Sequence, residues 1–402
     1  MGSTRTAAGA MSLQPVIIQW GVSSYSGWGV NGLNIALNWI RDDLFAPVCS
    51  MPVRTEELAL SPLEWQRMGG FLRNSAAFCE QLAPHPEQEI GVSIPVLRGL
   101  GNNLVGSRSV GRTVVTGQPT VGVCYLEDTA LTDEARERAK ACTEILAGST
   151  FVRNTLEGAG IACSRVVLQG VDPTHFHPAP RAGWFRDRFT VFSGGKPETR
   201  KGQDLVLLAF RAFARRHPDA LLLTAWHSPW PASARSLDAN PALAPVEFLP
   251  DGRFNAAKWA TDNGVAADQV IDLGHVPNAD MARILREADV GLFPNRGEGG
   301  TNLVAMECMA CGVPTVLSAN TGHLDLIGDG NVYPLTRQRP VLDQGCDGWG
   351  ESDVEEIVET LETIWAGREA AARVGERGAT FMAGLTWKRY AAEIAEVIRQ
   401  HL

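Results

Sequence analysis

From Val290 to Ser318 the chain runs through strand, loop, helix and strand without a pause. An apolar strand, Val290 to Phe293, follows Ala288-Asp289 and leads into a loop rich in glycine and polar residues. A helix-compatible run follows from Asn302 to Cys311, and Gly312-Val313-Pro314 stops it before the strand Thr315 to Ser318. Two strands joined through a helix pair in parallel, which commits this region to an α/β sheet. The polar residues gather where the first strand ends, the edge at which open parallel sheets bind their ligands. A helix beginning near Asn302 aims free backbone N–H groups at that loop, an arrangement suited to a phosphate. Glu298 stands in the loop and Glu307 about one and a half turns into the helix, so both can face one ligand.

The same alternation recurs along the chain. Pro15 to Val22 reads as a first buried strand, followed by the small-residue loop Ser23 to Gly32 and a helix from Leu33 to Asp43. Glycines in that loop allow a ligand close to the backbone, which makes Gly29, Val30 and Asn31 candidate contacts. Ser61 to Leu82 reads as a helix and Glu89 to Val96 as a strand. The stretch Leu100 to Gly117 and the basic residues Arg98, Arg108 and Arg112 fit a surface connection better than an acceptor-side loop. Thr120 to Leu126 is a strand ending in Glu127-Asp128, with helices at Thr132 to Cys142 and, capped by Ser149, up to Gly158. Strands at Phe189 to Phe192, Ala220 to Ala225 and Gln269 to Gly274 precede the opening segment, and helices at 354–365, 368–381 and 386–401 follow it. This order predicts two doubly wound, Rossmann-like α/β domains facing a cleft.

The length of 402 residues accommodates two such domains. A net charge of −9 argues against a nucleic-acid partner, and no apolar run approaches the roughly 18 residues of a membrane span, which leaves only peripheral contact with a membrane open. The eight cysteines show no disulfide-framework spacing; Cys308 and Cys311 form the one close pair, without a second pair or histidine to complete a zinc site. Reduced thiols point to the cytoplasm. His175 and His177 stand two apart in a proline-rich link and are expected to pack there, not to bind metal. Residues 1–14 lack the apolar core of a signal and read as an unstructured or vector-derived start.

Glu307-Cys308-Met309-Ala310-Cys311-Gly312-Val313-Pro314 closely resembles the nucleotide-sugar motif of glycosyltransferase family 4, the retaining enzymes of the two-domain GT-B fold. That family has a Glu, seven residues, a second Glu, then Ala-Met-Ala-x-Gly-x-Pro; in this chain Glu298 stands one residue early, with Gly299 at the family spacing. Relatives carry Gly-Arg or Gly-Lys at a strand end and Lys-Gly five residues later, a spacing kept by Lys196 and Lys201. Gly170-Val171-Asp172 is similar to the family's junction between domains, and the last helix to the one that crosses back. The resemblance implies a first domain of residues 15–180 with helix 386–402, and a donor domain of residues 181–385.

It also implies roles. Lys196, Lys201 and the backbone at Thr301, Asn302, Leu303 and Val304 would hold the leaving diphosphate. Glu307 suits the ribose hydroxyls, and Glu298 the sugar or the charge developing on it. The turn at Val276 would lie against the nucleobase. Relatives carry a histidine near the position of Glu127; this chain has none there, and Glu127 or Asp128 is the substitute. With no Asp-x-Asp at a strand end, neither a metal nor another cofactor is expected. The implied reaction moves a hexose-type sugar from a nucleotide diphosphate to an acceptor hydroxyl. A non-catalytic sugar-nucleotide-binding module, or an epimerase or phosphorylase of this fold, stays open.

Overall fold

The structure, a computed structural model, describes residues 13–163 and 165–402. Residues 1–12, most of the expected unstructured start, lie outside the described residues. Two six-stranded sheets organise the chain. Across the first, the order is Ala46–Cys49, Pro15–Ile18, Val96–Leu100, Thr120–Cys124, Glu144–Ala147 and Arg165–Val166, with every pair parallel. Across the second it is Val270–Asp272, Ala220–Ala225, Phe189–Gly194, Val290–Phe293, Thr315–Ser318 and Tyr333–Leu335, again parallel throughout. Helices cover both faces, so central strands such as Thr120–Cys124 and Phe189–Gly194 are buried at every residue.

The second sheet winds outward from Phe189–Gly194 to one edge, then resumes on its other side at Val290–Phe293. Loops leaving these two neighbours therefore diverge and leave a crevice at their C-terminal ends, the place where such sheets bind ligands.

The last helix, Trp387–Arg399, packs on the first domain: Trp387, Tyr390, Ile394 and Ile398 share one core with Val16, Ile18, Ile35 and Trp39. It arrives beside the outgoing link, where Val171 N–H donates to Leu385 O (3.0 Å) and Trp387 N–H to Val171 O (3.3 Å). Two strands of chain thus pass between the domains at one point. A Cβ on Gly170 would collide with the backbone of Thr386 and Trp387, so the crossing requires glycine there. The link is tied to the second domain through its backbone, since Arg286 donates to the carbonyls of His175 and His177. The expected packing of the two rings is not seen: His177 is exposed with Nδ1 3.1 Å from Pro173 O, and His175 is partly buried with Nδ1 3.7 Å from Asp172.

Two local expectations are corrected. The first helix spans Gly27–Arg41, beginning six residues before Leu33, because Ser26 caps it and accepts from Gly29 N–H (3.2 Å). Two of its glycines are packing features: a Cβ on Gly29 would meet Ser23 and one on Gly32 would meet Trp20. The strand expected from Glu89 to Val96 is two separate strands, Glu89–Gly91 pairing with Val114–Thr116 and Val96–Leu100 in the main sheet.

Candidate active site

A cavity of about 480 Å3 lies between the domains, over the crevice of the second sheet. Its second-domain walls are the loop after Phe189–Gly194, with Lys196, Arg200 and Lys201, and the segment Glu298 to Glu307. Gly202 locks these two pieces together. It is left-handed (φ 71°), and a Cβ there would collide with Pro294 O. Beneath them Arg296, 5% exposed, clamps Asp204 with both terminal nitrogens (2.8 and 2.7 Å) and bonds Glu351 through Nε (2.9 Å).

Glu298 is 4% exposed and surrounded by donors. Lys201 Nζ lies 2.5 Å from Oε1 and Arg200 Nη1 3.0 Å from Oε2, while Asn295 donates to Oε1 and Thr321 Oγ1 accepts from the backbone N–H (2.8 Å). Burial pushes the carboxyl up, but Lys201 and Arg200 outweigh it and hold it at about 2, so Glu298 is ionised. Arg200 also reaches Glu198 (2.7 Å) and, across the cleft, Glu127 of the first domain (3.3 Å). Lys196 pairs with Glu198 (2.8 Å) beside the Trp230 ring.

Glu307 is the opposite case. Burial, only partly offset by the Asn278 amide that donates to Oε1, raises it to about 8, so it is protonated at neutral pH. The helix spans Leu303–Ala310, and Asn302 caps it with φ 65° while its side chain accepts from Ala305 N–H (3.4 Å). The first internal helix bond runs from Met306 N–H to Asn302 O, which leaves the N–H groups of Leu303 and Val304 at the cavity wall. Between Glu298 and Glu307 the backbone turns left-handed at Asn302. His323 holds that turn: its Nε2 is 3.2 Å from Asn302 Nδ2 and its Nδ1 3.2 Å from Ser318 O. Burial drives His323 down to about 4, so it is neutral and carries its proton on the nitrogen facing the carbonyl.

Of the expected contacts, Val30, Glu127, Lys196, Lys201, Val276, Glu298, Asn302, Leu303, Val304 and Glu307 all line the cavity. Gly29, Asn31 and Thr301 do not. Gly29 packs on Ser23; Asn31 turns inward, donating to the hydroxyls of Tyr125 (3.2 Å) and Tyr390 (2.9 Å); Thr301 donates to the Met306 sulfur. These three were placed on loops with free backbone, and the early helix start and the Asn302 turn bury them instead. Asp128 accepts from its neighbour Ala130 N–H (2.8 Å) and stays off the wall. Among the described residues no group of three or more His, Cys, Asp or Glu could hold a metal. Cys308 and Cys311 are buried in helix packing.

Several residues of the site escaped the sequence reading. Arg200 stands beside Lys201, and spacing alone favoured the lysine; its charge was the available signal. In sequence the loop Trp226 to Trp230 reads as either an aromatic wall or a surface turn, and the turn His275 to Asn278 as a base contact. Trp28, the tilted contact of Tyr25 on His275 (4.0 Å) and the stack of His275 on His227 (3.8 Å) come together only in three dimensions. The contact of Tyr25 on His275 joins the domains, as do Asn278 N–H to Ser24 O (2.8 Å) and Ser149 Oγ to Gly299 O (2.9 Å).

Residues 188–340, which contain most of this site, match the family model of the glycosyl transferases group 1. This stretch of the second domain is thus similar to the glycosyl transferases of group 1. Among curated proteins, this chain is 26% identical over 245 residues to a GDP-mannose-dependent alpha-(1-6)-phosphatidylinositol monomannoside mannosyltransferase of Mycolicibacterium smegmatis, covering 57% of this chain and 54% of that one. It is 32% identical over 219 residues to a D-inositol 3-phosphate glycosyltransferase of Thermomonospora curvata, covering 50% and 48%. The match thus spans about half the length of these relatives. The fold extends further. A sucrose-phosphate synthase from Thermosynechococcus elongatus superimposes with a TM-score of 0.62 at 15% identity, over 96% of this chain and 98% of that one. Anabaena HepE in complex with UDP-glucose gives 0.64 at 12%, over 96% and 99%. The chain has the GT-B fold.

Proposed function

We propose that the chain transfers a hexose-type sugar from a nucleotide diphosphate donor to an acceptor hydroxyl, with retention at the anomeric carbon. The observation that carries this reading is the cluster at the crevice: an ionised, buried Glu298 beside Lys201 and Arg200, opposite a helix that starts at the same wall. Departure of a nucleoside diphosphate separates charge, and Lys196, Arg200, Lys201 and the N–H groups of Leu303 and Val304 supply positive potential on one side of the bond that breaks. Glu298 supplies the negative potential for the sugar carbon on the other. No metal enters this scheme. The donors bound in relatives and neighbours, GDP-mannose by name and UDP-glucose by structure, make these the first to try. No helix of the described residues is long and apolar enough to cross a membrane, and the eight free cysteines fit a reducing cytoplasm.

Lys201→Ala is expected to weaken UDP, GDP or ADP binding by about 1.5–3 kcal/mol, the range for hydrogen bonds to charged groups. Titration calorimetry tests this and the reading with it: an unchanged affinity for the preferred nucleotide would remove Lys201 from the site.

Glu307 makes a second expectation. Its role toward ribose hydroxyls requires the ionised carboxylate, whereas burial holds it protonated up to about pH 8. Nucleotide binding then releases a proton, and affinity rises between pH 7 and 8 by about fivefold. Stability moves the other way: a carboxyl at 4.5 in the unfolded chain and about 8 in the folded one stabilises fully below pH 4.5, and the contribution is lost as the pH rises through 8. Calorimetry on Glu307→Gln at both pH values checks the binding effect, since the variant should bind weakly with no such pH dependence.

A further inference from the structure

The wall that faces the donor cations across the cavity belongs to the first domain, and its chemistry is distinctive. Ser24, Tyr25, Trp28, Tyr125, Glu127 and Gln169 form most of it, and among the described residues this wall has no lysine or arginine. The basic residues of the stretch before Tyr125 are elsewhere: Arg98, Arg108 and Arg112 do not line the cavity, Arg108 donates to Arg112 O (3.2 Å), and Arg112 lies 3.8 Å from Glu87. The cations opposite are already paired with Glu127, Glu198 and Glu298.

We infer that the acceptor is an uncharged sugar or polyol that lays a ring face on Trp28, and not a phosphate ester; this rests on the glycosyl-transfer reading above. Trp28 is a fixed platform. Trp20 meets it edge-on (centroids 5.4 Å, 65°), as does Tyr125 (5.1 Å, 81°). Gly99 backs it so closely that a Cβ there would be 3.0 Å from the indole. The Tyr125 hydroxyl is taken from behind by Asn31 and Tyr390, so that residue offers the cavity aromatic surface in place of a polar group. A rigid electron-rich face suits the C–H side of a pyranose ring, whose hydrogens carry the complementary partial charge. Around it, the Glu127 carboxylate accepts hydroxyl protons and the Gln169 amide both donates and accepts. A phosphate ester in the same place would meet a carboxylate and no cation of its own wall, an arrangement that selects against it.

The experiment offers the wild-type protein the nucleotide sugar it turns over, with methyl glucopyranosides, methyl mannopyranosides and myo-inositol as neutral acceptors. Glucose 6-phosphate, mannose 6-phosphate and myo-inositol 1-phosphate are their charged counterparts. The best neutral acceptor should show a kcat/KM at least about tenfold above its phosphate ester. Trp28→Leu should raise the KM for that acceptor by about tenfold, and more than it raises the donor KM. Glu127→Lys should narrow the gap between neutral and charged acceptors. Equal use of the phosphate esters, or preference for them, overturns the inference while donor turnover leaves the transferase reading standing. If no nucleotide sugar binds or is consumed with any acceptor, both readings fall together.

Discussion

Glu298→Gln is expected to lower sugar transfer by more than tenfold, over about 1.4 kcal/mol of barrier, while nucleoside diphosphate affinity holds or rises. The side chain keeps its shape and loses its charge, so whatever depends on shape survives. Turnover falls because the sugar carbon loses the negative group beside it. Affinity does not fall, because Lys201 and Arg200, now bonded to the carboxylate at 2.5 and 3.0 Å, become available to phosphate. Steady-state kinetics with calorimetry on the same preparation separates the two effects. Full transfer activity in the variant would make Glu298 a structural anion for the two cations and nothing more.

Arg296→Met should cost about 3–5 kcal/mol of second-domain stability, the range for removing one partner of a buried ion pair. Asp204, 1% exposed, would be left with the Asn240 amide alone. The loss reaches the site, because the Arg296 guanidinium also donates to Thr199 O (2.6 Å). Of this residue's two bonds from the Glu298 loop to the cation loop, only the one from its backbone N–H to Arg200 O (2.7 Å) would remain. Urea unfolding should show the second-domain transition moving to lower denaturant, and Asp204→Leu on top should recover part of the loss, since it removes the stranded charge. A loss under about 1 kcal/mol would mean that the loops are held by something other than this pair.

Much of this was legible in the sequence, for reasons that differ by residue. Doubly buried parallel strands leave unbroken apolar runs, so Ala220–Ala225, Val290–Phe293 and Thr315–Ser318 fall where the sequence puts them. Caps were readable in part. Ser149 caps its helix through its side chain, whereas Thr132, the expected cap of the helix before it, turns its hydroxyl to Asn103 and Glu134 and makes no capping bond, and that helix spans only Asp133–Ala139. Glycine misled at the first loop. Gly29 and Gly32 look like freedom in a sequence and are close contacts in the fold, which carried the expected helix start to Leu33 and left Asn31 on a loop when it lies in the interior. The Glu298 spacing was visible but the turn that follows it was not, because the Asn302–His323 pair joins residues on different loops. Arg200 shows the same limit. Its value comes from touching Glu127 on the far domain, and no pattern within one loop encodes that.

The central claim is that this cleft breaks a nucleotide–sugar bond. Its most direct test incubates the purified protein with GDP-mannose, UDP-glucose and ADP-glucose, each with and without neutral glycoside acceptors, while following nucleoside diphosphate release and the anomeric proton signals of the product by NMR. The account predicts release from at least one donor, stimulated by an acceptor, with a product that keeps the donor's anomeric configuration, and a fall of more than tenfold in Glu298→Gln. Tight nucleotide-sugar binding without any release would contradict it and make the chain a binding module. An inverted product would leave a transferase but take away the role of Glu298 beside the sugar carbon.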